Sequence, residues 1–235
     1  MDDLPQYISL IFLGCVIATF GFLYFAVKLT SKKSNASTIL VTFMAIWLFV
    51  IALLAFNEYF LDFPGFPPHL FVFVGMSLLT IIGLFSIKRS RDFIGRMPIT
   101  TLTHIHIIRV PVEIVLWWLF LEGMLPEQLT FQGMNHDIIS GITAPFAAIF
   151  LVGLRSKSKI AAIIWNLIAL GLLFNIVIRA IGATPYFYDP EVLAKPNIAV
   201  FYFPYVYLPT FVVPAVLFSH LASLYQLIFL SEEEY

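Results

Sequence analysis

Seven apolar segments, each close to the length at which a helix crosses a bilayer, follow one another along this chain. A crossing takes about 20 residues, and the segments lie at about 7–28, 38–57, 69–87, 104–124, 138–154, 160–182 and 206–230. A helix that is apolar on all sides is stable only when it is buried in lipid or in a large protein core. We therefore predict an all-α polytopic membrane protein, in which residues 1–235 form a single domain, a seven-transmembrane-helix bundle.

Composition excludes several other classes. The residues are 60% hydrophobic and 11% charged, whereas about a quarter of the residues of soluble domains are charged. This apolar content excludes intrinsic disorder. The 13 Lys and Arg residues are matched by 14 Asp and Glu residues, so we predict no nucleic-acid partner. Cys15 is the only cysteine, so no intramolecular disulfide forms.

The basic residues alternate between the gaps that separate the segments. Gaps two, four and six hold only Lys195, whereas gaps one, three and five hold most of the others. By the positive-inside rule, the odd gaps are cytoplasmic, which places the N-terminus outside and the C-terminus in the cytoplasm. We expect an integral protein of a bacterial inner (cytoplasmic) membrane or a plasma membrane. The basic residues of the odd gaps and their flanks are Lys28, Lys32, Lys33, Lys88, Arg89, Arg91, Arg96, Arg155, Lys157 and Lys159.

Two of the cytoplasmic gaps resemble each other. Residues 27–34 are VKLTSKKS and residues 152–159 are VGLRSKSK. The first and fifth segments run in the same direction, so the pattern permits a 3+1+3 parallel repeat with the fourth segment as linker.

The fourth segment carries an unusual number of ionisable residues. His106, Arg109 and Glu113 are three and four residues apart and therefore share one helix face. A charge at the bilayer centre costs about 2.5–3.5 kcal/mol on insertion scales, so each charge needs a partner or a cavity. We predict that Arg109 pairs with Glu113 and that Pro111 kinks the helix between them.

The seventh segment carries His220 near its middle, at a depth similar to that of Glu113. A contact between these two residues is therefore expected if the two segments are neighbours. It would provide an acid–base or proton-binding pair, because histidine titrates near neutral pH. The alternative is a structural hydrogen bond between two buried polar groups.

A second polar group is expected toward the outer face, where it forms the rim of a pocket. The alternative for these residues is a solvated loop with snorkelling charges. The group comprises Glu122, Asn135, His136, Asp137, Asn175 and Arg179.

We predict no metal site and no cofactor. His104 and His106 are two residues apart and do not share a helix face, which argues against zinc inside the bundle. His69, His136 and Asp137 leave zinc at the outer face as an alternative. Haem between His106 and His220 needs equal depths, and the segment bounds place these residues about half a span apart. No span interior holds the lysine that retinal requires.

The preferred hypothesis is a bundle cavity that binds a small lipophilic or amphipathic molecule and, by extension, transports it. Arg109, Glu113 and His220 are the expected polar contacts, together with His106. The first alternative is an intramembrane enzyme that acts on a lipid or isoprenoid, with Glu113 and His220 as catalytic acid and base. The second is a structural or assembly subunit, or a homo-oligomer, whose buried polar residues contact another chain.

Overall fold

The computed structural model describes residues 4–31, 35–153 and 158–230. The chain is 75% helical, with no strand among the described residues. Six of its helices are long and apolar enough to cross a membrane. These helices indicate a membrane protein, as the sequence predicts.

The long helices match six of the seven predicted segments. They are α1 (Gln6–Thr30), α2 (Ala36–Phe56), α3 (His69–Ser86), α5 (Ile99–Leu121), α7 (Lys159–Gly182) and α8 (Leu208–Phe229). Two shorter helices are α4 (Lys88–Ile94) and α6 (Ile138–Leu151).

Helix α6 replaces the predicted fifth span and is shorter than a crossing. It has nine α-helical residues, which include Pro145, followed by five in π geometry. At about 1.5 Å per residue it is about 21 Å long, against about 30 Å of hydrocarbon. The count of seven spans therefore stays a prediction.

Proline fixes the start of three helices. Pro5, Pro68 and Pro98 directly precede α1, α3 and α5, where a fixed φ and a missing N–H fit the end of a helix. Pro98 starts α5 five residues before the predicted bound at 104. Arg109 is therefore the eleventh of the 23 residues of α5 and lies closer to the middle of the helix than Glu113, the fifteenth.

The outer end of α5 also differs from the prediction. The helix ends at Leu121, and Glu122 lies beyond it, exposed. Before Pro111, the helix tightens to 3-10 geometry over Ile105–Ile108. This irregularity lies where the proline was expected to disturb the helix.

Helices α5 and α8 form the centre of the bundle. In their apolar windows, 50% and 67% of the residues are buried, against 11% in each of α2 and α3. Helix α1 packs on α5, and α7 packs on α8. Helices α2 and α3 therefore lie at the periphery.

A proline in α8 connects the peripheral helices to this centre. Pro214 has no N–H to donate to the Thr210 carbonyl four residues earlier. Instead, Trp47 Nε1 of α2 and Ser77 Oγ of α3 donate to that carbonyl, at 3.0 and 2.9 Å. One carbonyl freed by a proline thus binds both peripheral helices to α8.

The loops gather at two opposite ends of the bundle. At one end, the amides of Ile198 and Ala199 in the sixth gap donate to the Met124 carbonyl in the fourth. At the other end, Gln226 Nε2 donates to the carbonyls of Ile94 and Met97, at 2.7 and 2.9 Å.

Several residues that carry the orientation and repeat arguments lie outside the described residues. They are Lys32, Lys33, Arg155, Lys157 and the C-terminal segment 231–235.

Candidate functional site

A buried ion pair lies at the middle of the bundle. Arg109 on α5 and Asp137 at the start of α6 are 3% and 4% exposed. Arg109 Nε donates to Asp137 Oδ2 at 2.6 Å, and Nη2 donates to Oδ1, so the pair is bidentate. The prediction that Arg109 pairs with Glu113 is wrong, because Asp137 holds that position.

The chain brings Asp137 to this depth by turning back into the protein. Residues 122–137 leave the C-terminal end of α5 and return to the level of Arg109, about three helical turns back along the helix. Non-helical backbone is stable at such depth only where it is buried in protein, and Asn135 and Asp137 are both buried. We call residues 122–137 the re-entrant segment.

A glycine allows the close approach of α6 to α5. Gly141 follows Asp137 by four residues, on the same helix face. A Cβ on Gly141 would lie 2.7 Å from Val110 Cγ2 and 2.9 Å from Val110 N. A larger residue would therefore push α6, and Asp137 with it, away from Arg109.

Asn135 connects the re-entrant segment to Glu113. Its Nδ2 donates to Glu113 Oε2 at 2.5 Å and to the Leu129 carbonyl at 3.0 Å. Its Oδ1 accepts from the Asp137 amide at 3.0 Å. Glu113 Oε1 has no hydrogen-bond partner among the described residues, although Glu113 is 2% exposed.

His220 contacts Arg109 from the other side. Arg109 Nη1 lies 3.1 Å from His220 Nε2, and His220 Nδ1 lies 2.9 Å from Asn166 Oδ1. Arginine can only donate, so Nε2 accepts and Nδ1–H donates, which assigns the neutral tautomer. The predicted Glu113–His220 contact is wrong, because Asn135, Asp137 and Arg109 separate the two in the hydrogen-bond network.

The His106 ring stacks on the His220 ring. The two imidazole centroids are 3.9 Å apart with ring planes at 24°, and Trp165 packs edge-on against His106. Neither ring nitrogen of His106 has a partner among the described residues. The expected half-span difference in depth between His106 and His220 is therefore wrong.

The residues of the described ranges favour neither metal nor haem. They contain no group of three or more His, Cys, Asp and Glu side chains that could hold a metal ion. Bis-histidine haem places the two rings on opposite sides of the iron. Rings stacked at 3.9 Å leave no space for a haem between them.

The residues predicted to form the outer rim do not lie together in the structure. Asn175 Nδ2 donates to the Met134 carbonyl, and Arg179 Nε donates to Asn175 Oδ1, both at 2.9 Å, so these residues brace the re-entrant segment against α7. Asn135 and Asp137 point inward. Glu122 and His136 are exposed, and neither side chain has a hydrogen bond to another residue of the described chain.

An apolar cavity of about 130 Å³ lies directly beside the ion pair. It lies against α5 and extends between α3, α7 and α8, from the end of the bundle that holds Leu70 and Thr184 to mid-depth, and its only charged lining residues among those described are Arg109, Glu113 and Asp137. Its walls include Phe71, Val74, Val177, Ala180, Val212 and Val216.

Aromatic side chains cluster beside the cavity, next to Phe71 of its wall. The Tyr186 ring lies 5.7 Å from both Phe63 and Phe71 and 6.0 Å from Phe201. Burial, with a smaller effect from the Asp62 charge, raises the pKa of Tyr186. This cluster and two polar lining residues, Thr184 and Asn197, were not predicted from the sequence.

Comparison with known proteins gives one match. No curated protein and no solved structure matches the chain. A family model described as a domain of unknown function, DUF8737, matches residues 66–228. That range includes α3 to α8, the cavity and every member of the hydrogen-bond network. The chain therefore belongs to the DUF8737 family.

Proposed function

We propose that this protein binds a small lipophilic or amphipathic molecule in the cavity between α3, α7 and α8, and transports it. The observation that carries this proposal is a cavity with apolar walls that ends on Arg109, Glu113 and Asp137. Ligand sites in proteins are concave, mostly apolar, and contain a few polar groups that orient the ligand.

The ligand enters from the side, out of the lipid. Part of the cavity wall belongs to α3 and α7, whose other faces are apolar and exposed. The polar head of the ligand reaches the ion pair, the carbons next to the head fill the cavity, and the rest of the apolar chain stays in the lipid.

Arg109, Glu113 and Asp137 form the floor of the cavity. The floor is rigid because its own hydrogen bonds are largely satisfied. Arg109 donates to Asp137, His220 and the Ala169 carbonyl. A fixed floor orients a ligand at little entropic cost.

This arrangement favours binding over acid–base catalysis. The enzyme hypothesis needs Glu113 and His220 to act as a pair. Both ring nitrogens of His220 are occupied by Arg109 and Asn166, so His220 supports the floor. The assembly-subunit hypothesis needs polar residues that face outward, and these face inward.

Two matched variants on α7 test the proposal. Val177 lines the cavity, and the neighbouring Ile178 is 67% exposed. We expect lipid extraction and native mass spectrometry to find a co-purified amphiphile with the wild type and with Ile178→Phe, and to find it lost with Val177→Phe. Equal recovery from both variants, or nothing bound to the wild type, would contradict the proposal.

We further propose that the chain crosses the membrane seven times, with its N-terminus outside and its C-terminus in the cytoplasm. The re-entrant segment and α6 together make the fifth crossing. The ten-to-one distribution of basic residues supports this orientation and fits a bacterial inner or plasma membrane. The 3+1+3 repeat, with α5 as linker, is part of the same proposal, and superposing α1–α3 on α6–α8 tests it.

Single cysteines test the orientation in a Cys15→Ala background, which contains no other thiol. We expect an impermeant maleimide to label Lys195→Cys on intact cells and to label Lys88→Cys only after permeabilisation. The reverse pattern would contradict the assigned orientation.

A further inference from the structure

The floor of the cavity leaves one carboxylate oxygen free. Four of the five Arg109 N–H groups are used, by Asp137, His220 and the Ala169 carbonyl. Both Asp137 carboxylate oxygens accept from Arg109. The groups that remain are one Nη1–H of Arg109 and Glu113 Oε1, which has no hydrogen-bond partner among the described residues.

The net charge of the floor also favours a cationic ligand over an anionic one. Arg109 contributes one positive charge, and Asp137 and Glu113 contribute two negative charges. His220 is neutral by its hydrogen bonds. The net charge is therefore −1 when Glu113 is ionised and zero when it is protonated, and it is positive in neither state.

An anionic head group fits this floor poorly. It would face Glu113 without a free cation to compensate it, since Arg109 is already paired. A buried charge without a partner is costly in a low-dielectric environment. A head group with N–H donors and a positive charge would instead satisfy Glu113 Oε1 and balance its charge.

We propose that the ligand is a lipophilic amine, whose ammonium group binds Glu113, whose first carbons fill the cavity and whose remaining chain extends into the surrounding lipid. This inference deepens the proposed function and rests on it. Glu113 accepts from the ammonium, and the Arg109–Asp137 pair holds the floor in place.

Three 12-carbon probes of matched length separate the head-group chemistries. Dodecylamine, dodecanol and dodecanoate are titrated into the full chain in nanodiscs, with empty nanodiscs subtracted to remove partitioning into lipid. We expect dodecylamine to bind at least about tenfold more tightly than dodecanoate, the ratio that about 1.4 kcal/mol produces.

Variants at the floor test the residue assignment. Glu113→Gln should weaken dodecylamine binding by about tenfold and leave dodecanol binding unchanged, because the amide keeps the shape and removes the charge. Glu122→Gln, at an exposed carboxylate away from the cavity, is the matched control and should change nothing.

The outcomes distinguish this inference from the proposed function. Dodecanoate binding as tightly as dodecylamine would overturn the amine assignment, as would unchanged amine binding by Glu113→Gln. If dodecanol still binds and Val177→Phe abolishes it, the cavity remains a ligand site. If none of the three probes binds in a way that Val177→Phe blocks, both proposals fail.

Discussion

In this bundle the peripheral helices are more apolar than the central helices, whereas in a soluble protein the buried core is the more apolar region. The peripheral helices α2 and α3 are the more apolar, with mean hydropathies of 2.8 and 2.0, yet only 11% of each window is buried. The central helices α5 and α8 have hydropathies of 1.5 and 1.7 and are 50% and 67% buried. In a bilayer, apolar side chains are stable against lipid, whereas polar ones need protein partners. Polar residues therefore mark the interior of this bundle.

The largest effect is expected at the ion pair. Asp137→Asn leaves the buried Arg109 guanidinium without its counter-charge, and breaking one partner of a buried pair costs about 3–5 kcal/mol. The free energy of unfolding, measured by SDS titration in mixed micelles, should fall by that amount. Glu122→Gln, which neutralises an exposed carboxylate just beyond α5, is the control and should have no effect. Similar losses of unfolding free energy in both variants would contradict the difference between the buried centre and the exposed surface.

The second-largest effect on the free energy of unfolding is expected where α6 packs closely on α5. Gly141→Ala forces a methyl group against Val110, and overpacking of this kind costs about 1–3 kcal/mol. Gly171→Ala on α7 is the matched control, because a Cβ there meets no atom within 4 Å. The control should be neutral or slightly stabilising, since alanine favours helix more than glycine does. A tolerated Gly141→Ala would mean that α6 does not pack this closely.

A smaller effect is expected where the periphery is attached to the centre. Trp47→Phe and Ser77→Ala each remove one donor to the Thr210 carbonyl, and each should cost about 0.5–1.5 kcal/mol. The double variant should cost more than the sum, because it leaves the carbonyl without either donor. Thr80→Ala, which removes a hydroxyl bonded only within α3, is the control. Strict additivity in this double-mutant cycle would argue against a shared carbonyl.

The smallest effect is expected on the lipid-facing surface. Ile46 on α2 is 58% exposed, whereas Ile51 on the same helix is fully buried. Ile46→Ala should leave the unfolding free energy almost unchanged, because lipid surrounds this side chain in the folded and the unfolded state. Ile51→Ala should cost about 2–5 kcal/mol by leaving a cavity. Equal losses would show that α2 is more buried than the structure indicates.

Sequence analysis could predict the helices because length and hydropathy are local properties. Six predicted segments have a corresponding long helix, and the importance of Arg109, Glu113 and His220 follows from the cost of burying them. The start of α5 was missed, although Pro98 is a signal that could have placed it.

The pairing of the buried residues could not be predicted in the same way. The helix-face rule connects Arg109 with Glu113, four residues away, whereas the actual partner Asp137 is 28 residues away. Its position depends on the re-entrant segment and on the close contact at Gly141, both of which are tertiary. The cavity is likewise formed by four helices, α3, α5, α7 and α8, that are distant in sequence.

A photoreactive ligand tests the central claim that the cavity beside the Arg109–Asp137 pair takes an amphiphile from the lipid. A diazirine derivative of dodecylamine, irradiated with the protein in liposomes, leaves adducts that peptide mass spectrometry can assign. We predict adducts on Val177, Ala180 and Val212 that excess dodecylamine suppresses, together with adducts on exposed Ile178 that it does not suppress. Adducts confined to lipid-facing residues, or cavity adducts that excess dodecylamine leaves unchanged, would contradict it.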